Sequence, residues 1–249
     1  MKLKLLITAL LLSSYSMAGE IKLALAANLS YAIEDLTKAF NELYPDTKVQ
    51  VTLGSTGKLT AQIKNGAPYE ILMAADMMYA EKLYEEDLAV TKPLVYAQGS
   101  LAYLSSKPQD FSKGIELFRN EDIKKIALAN PKTAPYGKAT IEAFENVKLL
   151  ELVQSKFVYA ESISQAVTYA VTASDIGFIA KSSLYSPQMA QYKEGVNWSD
   201  VDPKLYTPIN QGMVILKEGQ KNAEVSAFYA FMLSKKAKEI FSKFGYIVP

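Results

Sequence analysis

VTLGSTGKLTAQIKNGAP, residues 51–68, is the stretch that decides the fold. Its first residues are typical of a short buried strand, and Gly54 and Gly57 then bracket two hydroxyl side chains in a tight turn. Leu59 and Ile63 repeat at helical spacing until a glycine and a proline stop the helix. The stretch therefore predicts a hydroxyl-rich loop at a helix N-terminus. Such a place favours anions, because the first backbone N–H groups have no intrahelical partner and the helix dipole is positive there.

Four strand-to-helix joints of this kind occur along the chain. They lie at residues 28–30, 54–57, 135–137 and 161–164. Helix capping alone explains any one of them, so a single joint is weak evidence for a site. If the chain forms two units that face each other, however, the four positive helix ends converge on one cleft. That arrangement suits a small multivalent anion held by neutral donors.

The composition excludes several kinds of chemistry. The 249 residues include neither Cys nor His, which removes disulfides, thiol catalysis, histidine metal sites and Ser-His catalytic pairs. The net charge is +1 and charged residues make up 21%, so neither nucleic acid nor a membrane surface is indicated as a partner. The length suits one large or two small domains.

Residues 1–18 have the pattern of an export signal. Two lysines in the first four residues precede an apolar run at 5–12 and a small-x-small cleavage site at 16–18. The apolar run is too short to span a bilayer. We therefore predict a mature, soluble protein that begins near Gly19 and is located in the periplasm.

Strands alternate with helices along the chain, which predicts mainly parallel sheets flanked by helices. The predicted strands span residues 21–26, 49–53, 71–75, 94–97, 101–105, 126–129, 157–160, 176–180, 204–209 and 213–216. Besides the helix in the opening stretch, helices are predicted at about residues 30–44, 77–86, 137–154, 166–172, 221–233 and 235–244. Residues 181–202 show no clear periodicity.

The chain is expected to divide near Pro93, where hairpin-like strands start a second α/β unit. We predict one domain from residues 19–93 together with 207–249, and a second domain from residues 94–206. Two chain crossings between domains form a hinge, and ligands of open α/β sheets lie beyond the carboxyl ends of the strands. The predicted ligand position is therefore the cleft between the domains.

The run GSTGKLTAQIKNGAP at 54–68, followed by ILMAAD at 71–76, resembles the signature of the periplasmic molybdate-binding proteins of ABC transporters. Further similarity lies at residues 24–29, at 160–163 with 176–178, and in the tail at 228–246. The resemblance implies a two-domain, type II periplasmic binding protein that captures molybdate or tungstate and delivers it to a membrane permease. We also expect a monomer with no cofactor and no enzymatic activity.

The resemblance implies a ligand set as well. The implied oxyanion-binding residues are Asn28, Ser55, Thr56, Tyr136 and Ile163. Asn28 supplies an amide where the family has a hydroxyl, and Thr56 or its neighbour Ser55 supplies the second side chain. Tyr136 and Ile163 supply backbone N–H groups. The oxyanion oxygens are held by these residues, and no protein atom is expected to be a direct metal ligand.

Two alternatives stay open. Binding proteins for sulfate or phosphate share this fold, and fold alone does not select among anions. The family's usual tyrosine after the glycine-containing strand is Ala180 here, which bears on the choice of anion. The other alternative is an acyl-transferase, because residues 55–58 match Ser-x-x-Lys; the middle Ser-x-Asn element of that class is not evident, so we expect no catalytic residues.

Overall fold

The computed structural model describes residues 19–249, and the predicted export signal lies outside the described residues. The strands are β1 (Glu20–Ala26), β2 (Lys48–Gly54), β3 (Ile71–Met73), β4 (Leu94–Gly99), β5 (Leu101–Leu104), β6 (Ile126–Ala129), β7 (Phe157–Ala160), β8 (Ile176–Ala180), β9 (Trp198–Asp200) and β10 (Ile209–Ile215). The α-helices are α1 (Ile33–Asn41), α2 (Thr56–Lys64), α3 (Met77–Glu85), α4 (Pro135–Asn146), α5 (Leu150–Val153), α6 (Ile163–Thr172), α7 (Ala223–Met232) and α8 (Lys235–Lys243). Short 3-10 helices span Ala27–Tyr31, Phe111–Arg119, Gln154–Lys156, Lys181–Tyr185, Pro187–Met189, Pro203–Leu205 and Lys217–Gly219.

The described strands form two sheets with the same internal pattern. The first has the order β2-β1-β3-β10-β4 and the second the order β7-β6-β8-β5-β9. In the first, β1 is parallel to β2 and β3, and β10 is antiparallel to β3 and β4. In the second, β6 is parallel to β7 and β8, and β5 is antiparallel to β8 and β9. The predicted α/β class is confirmed, although each sheet is mixed rather than mainly parallel.

Each sheet is covered by its own apolar core. Beside the first sheet, Phe40 of α1 packs edge-on against Phe228 of α7, with ring centroids 5.0 Å apart. Beside the second sheet, Phe118 stacks on Phe178 of β8 at 5.1 Å, and Phe144 of α4 packs edge-on against Phe178 at 5.0 Å. These rings are fully buried, and aromatic pairs of this geometry add to the free energy gained by burial.

The hairpin expected between residues 94–97 and 101–105 is wrong. β4 is the edge strand of the first sheet, where Gly99 pairs with Ile209 of β10, whereas β5 pairs with β8 in the second sheet. The chain passes from one sheet to the other at Ser100. Adjacent strands often pair, but here the partner of β4 lies more distant in sequence. The domain boundaries at 93/94 and 206/207 stay predictions.

The strand expected at 213–216 is part of β10, but the strand expected at 204–209 is wrong. β10 is one strand that begins at Ile209 and has a register shift between Gln211 and Gly212. Residues Pro203–Leu205 form a 3-10 helix, in which the Asp202 side chain accepts a hydrogen bond from the backbone N–H of Lys204 at 2.9 Å. A proline after a capping aspartate favours this turn over a strand. The register shift after Gln211 and the buried polar side chain of Gln211 interrupt the apolar alternation that identifies strands.

The helix expected at 137–154 is divided into α4 and α5. The chain leaves α4 after Asn146, and Lys148 adopts a φ of 56°, which breaks the helix before Leu150. Within residues 19–249, no helix is long and apolar enough to cross a membrane.

Candidate anion-binding site

A small cavity of about 10 Å³ lies between the two sheets, at the carboxyl ends of their parallel strands. Residues 26–28, 54–56 and 75 line it from the first sheet, and residues 134–136 and 163 line it from the second. All five residues of the predicted ligand set are among them. The structure therefore brings these residues together at the predicted position, while their role in binding stays a prediction.

Ser55 and Thr56 form the start of α2. Ser55 has the extended backbone of an N-cap, with φ −67° and ψ 143°, but its side chain makes no capping hydrogen bond. Its hydroxyl is buried and has no hydrogen-bond partner among residues 19–249. The Thr56 hydroxyl instead accepts a hydrogen bond at 3.1 Å from the backbone N–H of Ala75, next to the end of β3. Both hydroxyls keep a proton to donate, and Ser55 is the one that no described group satisfies; a buried hydroxyl without a partner costs free energy unless a ligand satisfies it.

Asn28 lies in the 3-10 helix that directly follows β1, and it is fully buried. Its Nδ2 donates to Gln211 Oε1 and to the Tyr246 hydroxyl, each at 2.9 Å. The Tyr246 hydroxyl donates in turn to the backbone oxygen of Asn28 at 2.9 Å. Oδ1 of Asn28 is buried without a partner in the described part of the chain. The side chain is thus fixed on one side by the protein and unsatisfied on the other.

Tyr136 and Ile163 present backbone N–H groups from the second sheet. Pro135 is the first residue of α4, so the N–H of Tyr136 falls in the first turn, where no intrahelical acceptor exists. Ile163 is the first residue of α6, and the preceding Ser162 caps the helix by accepting from Gln165 N–H at 3.3 Å. Both residues are buried and line the cavity. Helix capping, one explanation of the joint at residues 161–164, is present at Ser162.

The electrostatic character of the cavity comes from helix ends rather than from charged side chains. The N-termini of α2, α4 and α6 all reach it, and the lining residues carry no Asp, Glu, Lys or Arg. Lys58 and Glu161 form an ion pair at 2.6 Å, but both side chains are more than half exposed. Their charges are largely screened by solvent, so partial charges on buried N–H groups dominate the field in the cavity.

Direct contacts join the two sides around the cavity. The N–H of Gly57 in α2 donates to the backbone oxygen of Thr133 at 2.9 Å, and a Cβ at Gly57 would lie 3.0 Å from the Thr133 backbone. The Ser164 hydroxyl of α6 donates to the backbone oxygen of Ala27 at 2.6 Å. Glycine at position 57 therefore permits the two segments to approach each other closely.

Two residues of this environment were missed by the sequence analysis as site residues. Gln211 and Tyr246 reach Asn28 from positions 183 and 218 residues away in the chain. A glutamine beside the apolar run at 213–216 is the one sequence signal that pointed to Gln211. Ala180 is buried at the end of β8 but does not line the cavity, whereas Ser182 donates to the backbone oxygen of Asn28 at 3.2 Å.

The tyrosine hydroxyls near the cavity keep their protons. Burial raises the pKa of Tyr246 to about 12 and raises the pKa of Tyr136 and of Tyr96 well above the ordinary tyrosine value. They are therefore neutral hydrogen-bonding groups at physiological pH. No cluster of three or more carboxylates that could hold a metal ion occurs in the range that the structure covers.

Known proteins match this chain over nearly its whole length. A family model described as bacterial extracellular solute-binding protein matches residues 21–247. The molybdate-binding protein ModA of Azotobacter vinelandii is 35% identical over 240 residues, which cover 95% of this chain and 93% of the relative. ModA of Rhodobacter capsulatus is 36% identical over 233 residues, covering 92% and 89%. The solved structure of the periplasmic molybdate-binding protein of Azotobacter vinelandii superposes with a TM-score of 0.84 at 30% identity, covering 92% of this chain and 99% of the other.

Proposed function

The chain belongs to the family of bacterial extracellular solute-binding proteins, and we propose that it captures molybdate or tungstate in the periplasm and delivers it to an ABC importer. Relatives named for molybdate binding support the choice of ligand. The proposal includes removal of residues 1–18 on export and docking of the loaded protein on a membrane permease.

One observation carries the proposal. The hydroxyl of Ser55 is buried without a partner, in a cavity where three helix N-termini meet. A hydrogen bond to a charged group contributes about 1.5–3 kcal/mol, so a few such bonds support tight binding after the entropy losses of association. A small oxyanion satisfies the orphan hydroxyl and the free N–H groups of α4 and α6 together.

Neutral donors also select among anions. Molybdate and tungstate accept hydrogen bonds only, whereas phosphate carries a proton at neutral pH and needs an acceptor in the site. Sulfate is smaller and cannot reach all donors of a rigid cage at once. We expect molybdate and tungstate to bind most tightly, with sulfate and phosphate weaker by at least about two decades in Kd, or roughly 3 kcal/mol.

Binding is expected to bring two domains together, one built on the first sheet and the other on the second. The bond from Gly57 to Thr133 and the ion pair between Lys58 and Glu161 join these proposed domains across the cavity. The chain crossings at Ser100 and near residues 206–209 are the hinges of the motion. Ligand that contacts both domains stabilises this joined arrangement.

Competition calorimetry on anion-stripped protein tests the proposal. The titrants are molybdate, tungstate, sulfate and phosphate, and small-angle scattering of the same samples measures compaction. Tight binding of molybdate or tungstate with a smaller radius of gyration is the expected result. Sulfate or phosphate binding as tightly as molybdate would refute the assignment of the ligand, and would favour the alternative of another oxyanion binder of this fold.

A further inference from the structure

Gln211 lies in the middle of β10, fully buried, at the point where the pairing with β4 shifts register. A side-chain amide in such a place costs free energy unless its groups are hydrogen-bonded. The hydrogen bonds of Gln211 therefore indicate what the residue does.

The amide of Gln211 joins three side chains from different elements. Its Oε1 accepts from Asn28 Nδ2 at 2.9 Å and from the Tyr96 hydroxyl of β4 at 2.7 Å. Its Nε2 donates to the Tyr136 hydroxyl of α4 at 3.1 Å. A Cβ at Gly99 would lie only 1.9 Å from that hydroxyl, so glycine at the chain crossing leaves room for the contact. One amide thus links residues that line the cavity from opposite sides.

In this arrangement the amide of Asn28 presents the wrong group to an anion. Nδ2 is used by Gln211 and Tyr246, and Oδ1 is the arm without a partner among the described residues. A carbonyl oxygen carries partial negative charge and repels an anion. Asn28 lines the cavity, and Oδ1 is the polar side-chain atom of Asn28 that the described residues leave without a partner.

Rotating both amides by 180° removes the conflict and keeps the network. Gln211 Nε2 then donates to Asn28 Oδ1 and to Tyr96, whose hydroxyl is 3.3 Å from a backbone oxygen to which it can donate. Gln211 Oε1 accepts from Tyr136. The Tyr246 hydroxyl then faces two acceptors, Oδ1 and the backbone oxygen of Asn28, but has only one proton. It therefore makes one hydrogen bond to Asn28 instead of two. In exchange, Nδ2 of Asn28 becomes free to donate to the anion.

We propose that Gln211 is a positioning residue of the oxyanion site, whose amide is hydrogen-bonded to that of Asn28 and selects the orientation in which Asn28 donates to the ligand. The inference rests on the proposed function. It also assigns Gln211 a part in selectivity, because the opposite orientation offers an acceptor to protonated phosphate.

A double-mutant cycle tests the link between the two residues. Gln211→Met removes the amide at similar length, and calorimetry should show a loss of molybdate affinity of about tenfold or more, with a smaller preference for molybdate over phosphate. In an Asn28→Ala background, Gln211→Met should lower molybdate affinity by less than about twofold, because the side chain that Gln211 positions is absent. Gln98→Met on β4 is the matched control, since the Gln98 side chain makes no hydrogen bond within residues 19–249. Effects of Gln211→Met and Asn28→Ala that multiply independently would overturn the inference.

Gln211→Glu adds a readout that loss of packing cannot mimic. An ionised carboxylate only accepts, so it locks Asn28 with Oδ1 toward the ligand and adds a negative charge. The titratable groups facing this position are Tyr96, Tyr136 and, through Asn28, Tyr246; Asp76 accepts the N–H of the next residue through its backbone oxygen. We expect this variant to lose about a hundredfold in affinity at pH 8 and to recover most of it at pH 6, where a buried glutamate becomes protonated. A loss that does not vary with pH would contradict the proposal.

The wild-type protein provides a test that no folding defect can obscure. With ¹⁵N-asparagine labelling, the side-chain NH₂ signal that disappears in Asn28→Ala should shift strongly downfield for at least one proton when molybdate is added. An unchanged signal under saturating molybdate would refute donation from Asn28 to the ligand while leaving the proposed function intact. Failure of the wild type to bind molybdate in calorimetry would refute both.

Discussion

The two sheets follow one plan but present different kinds of polar group to the cavity. In each, two neighbouring parallel strands end at the cavity: β1 and β2 in the first sheet, and β6 and β7 in the second. After β1 and β2 the free polar groups belong to the side chains of Asn28 and Ser55. After β6 and β7 they are the backbone N–H groups at the starts of α4 and α6.

This difference teaches how each half can be altered. A side-chain donor disappears with a single truncation that leaves the backbone unchanged. A backbone donor is set by where a helix begins, so it survives every substitution except proline. The first sheet is therefore the half in which side chains tune the site, and the second is the half in which the fold itself supplies the donors.

The largest effect is expected from Ile163→Pro, which removes a backbone donor. Proline is tolerated at the first position of a helix, and Ser162 already has the extended backbone, φ −136° and ψ 165°, that a following proline requires. We expect molybdate affinity to fall about a hundredfold by calorimetry, the effect of losing one bond to a buried charge. Ile163→Ala is the matched control, because it removes the same side chain from the core but retains the N–H; equal losses in both variants would show that the side chain, not the donor, matters.

Ser55→Ala should come next and should separate binding from stability. Ser55 makes no capping hydrogen bond, so we expect a loss of about tenfold or more in affinity with little change in thermal stability. Ser162→Ala provides the contrast, since Ser162 caps α6 and its loss should lower the free energy of unfolding by about 1 kcal/mol. Thermal denaturation of both variants without ligand checks this, and a large stability loss in Ser55→Ala would indicate a structural role.

The ion pair at the rim should matter little. Lys58 and Glu161 are more than half exposed, so Lys58→Ala should change affinity by less than about threefold at physiological salt. Glu161→Gln tests the other partner in the same titration. If Lys58→Ala lowers affinity as much as Ser55→Ala does, then charge, rather than neutral donors, holds the anion.

The smallest effect is expected from pH. Because burial holds the pKa of Tyr246 at about 12, its hydroxyl does not titrate near neutrality, and affinity should vary less than about twofold between pH 6 and 8. The pKa of Tyr246 in the folded protein therefore lies above the usual tyrosine value of about 10. The neutral Tyr246 hydroxyl contributes fully to the stability of the fold below pH 10, and this contribution is lost as pH rises toward 12. A steep dependence of affinity in the neutral range would point to Asp76, whose carboxyl pKa is raised by burial.

Much of this molecule could be predicted from short stretches of sequence. The start of α2 after β2, the cap at Ser162 and the proline that begins α4 are local features, since a helix start depends on residues within one turn. For that reason the loops around Asn28, Ser55, Tyr136 and Ile163 could be found without coordinates. Strand-helix alternation likewise predicted the α/β class.

Other features were decided only by the tertiary structure. Whether β4 paired with β5 or with β10 depended on a partner more than a hundred residues away, and periodicity carries no information about such pairing. The same holds for Gln211 and Tyr246, which meet Asn28 only because β10 and the C-terminal tail return to the first sheet. Local sequence determined where polar groups are left free, and the packing of distant segments determined which of them face one cavity and in which orientation.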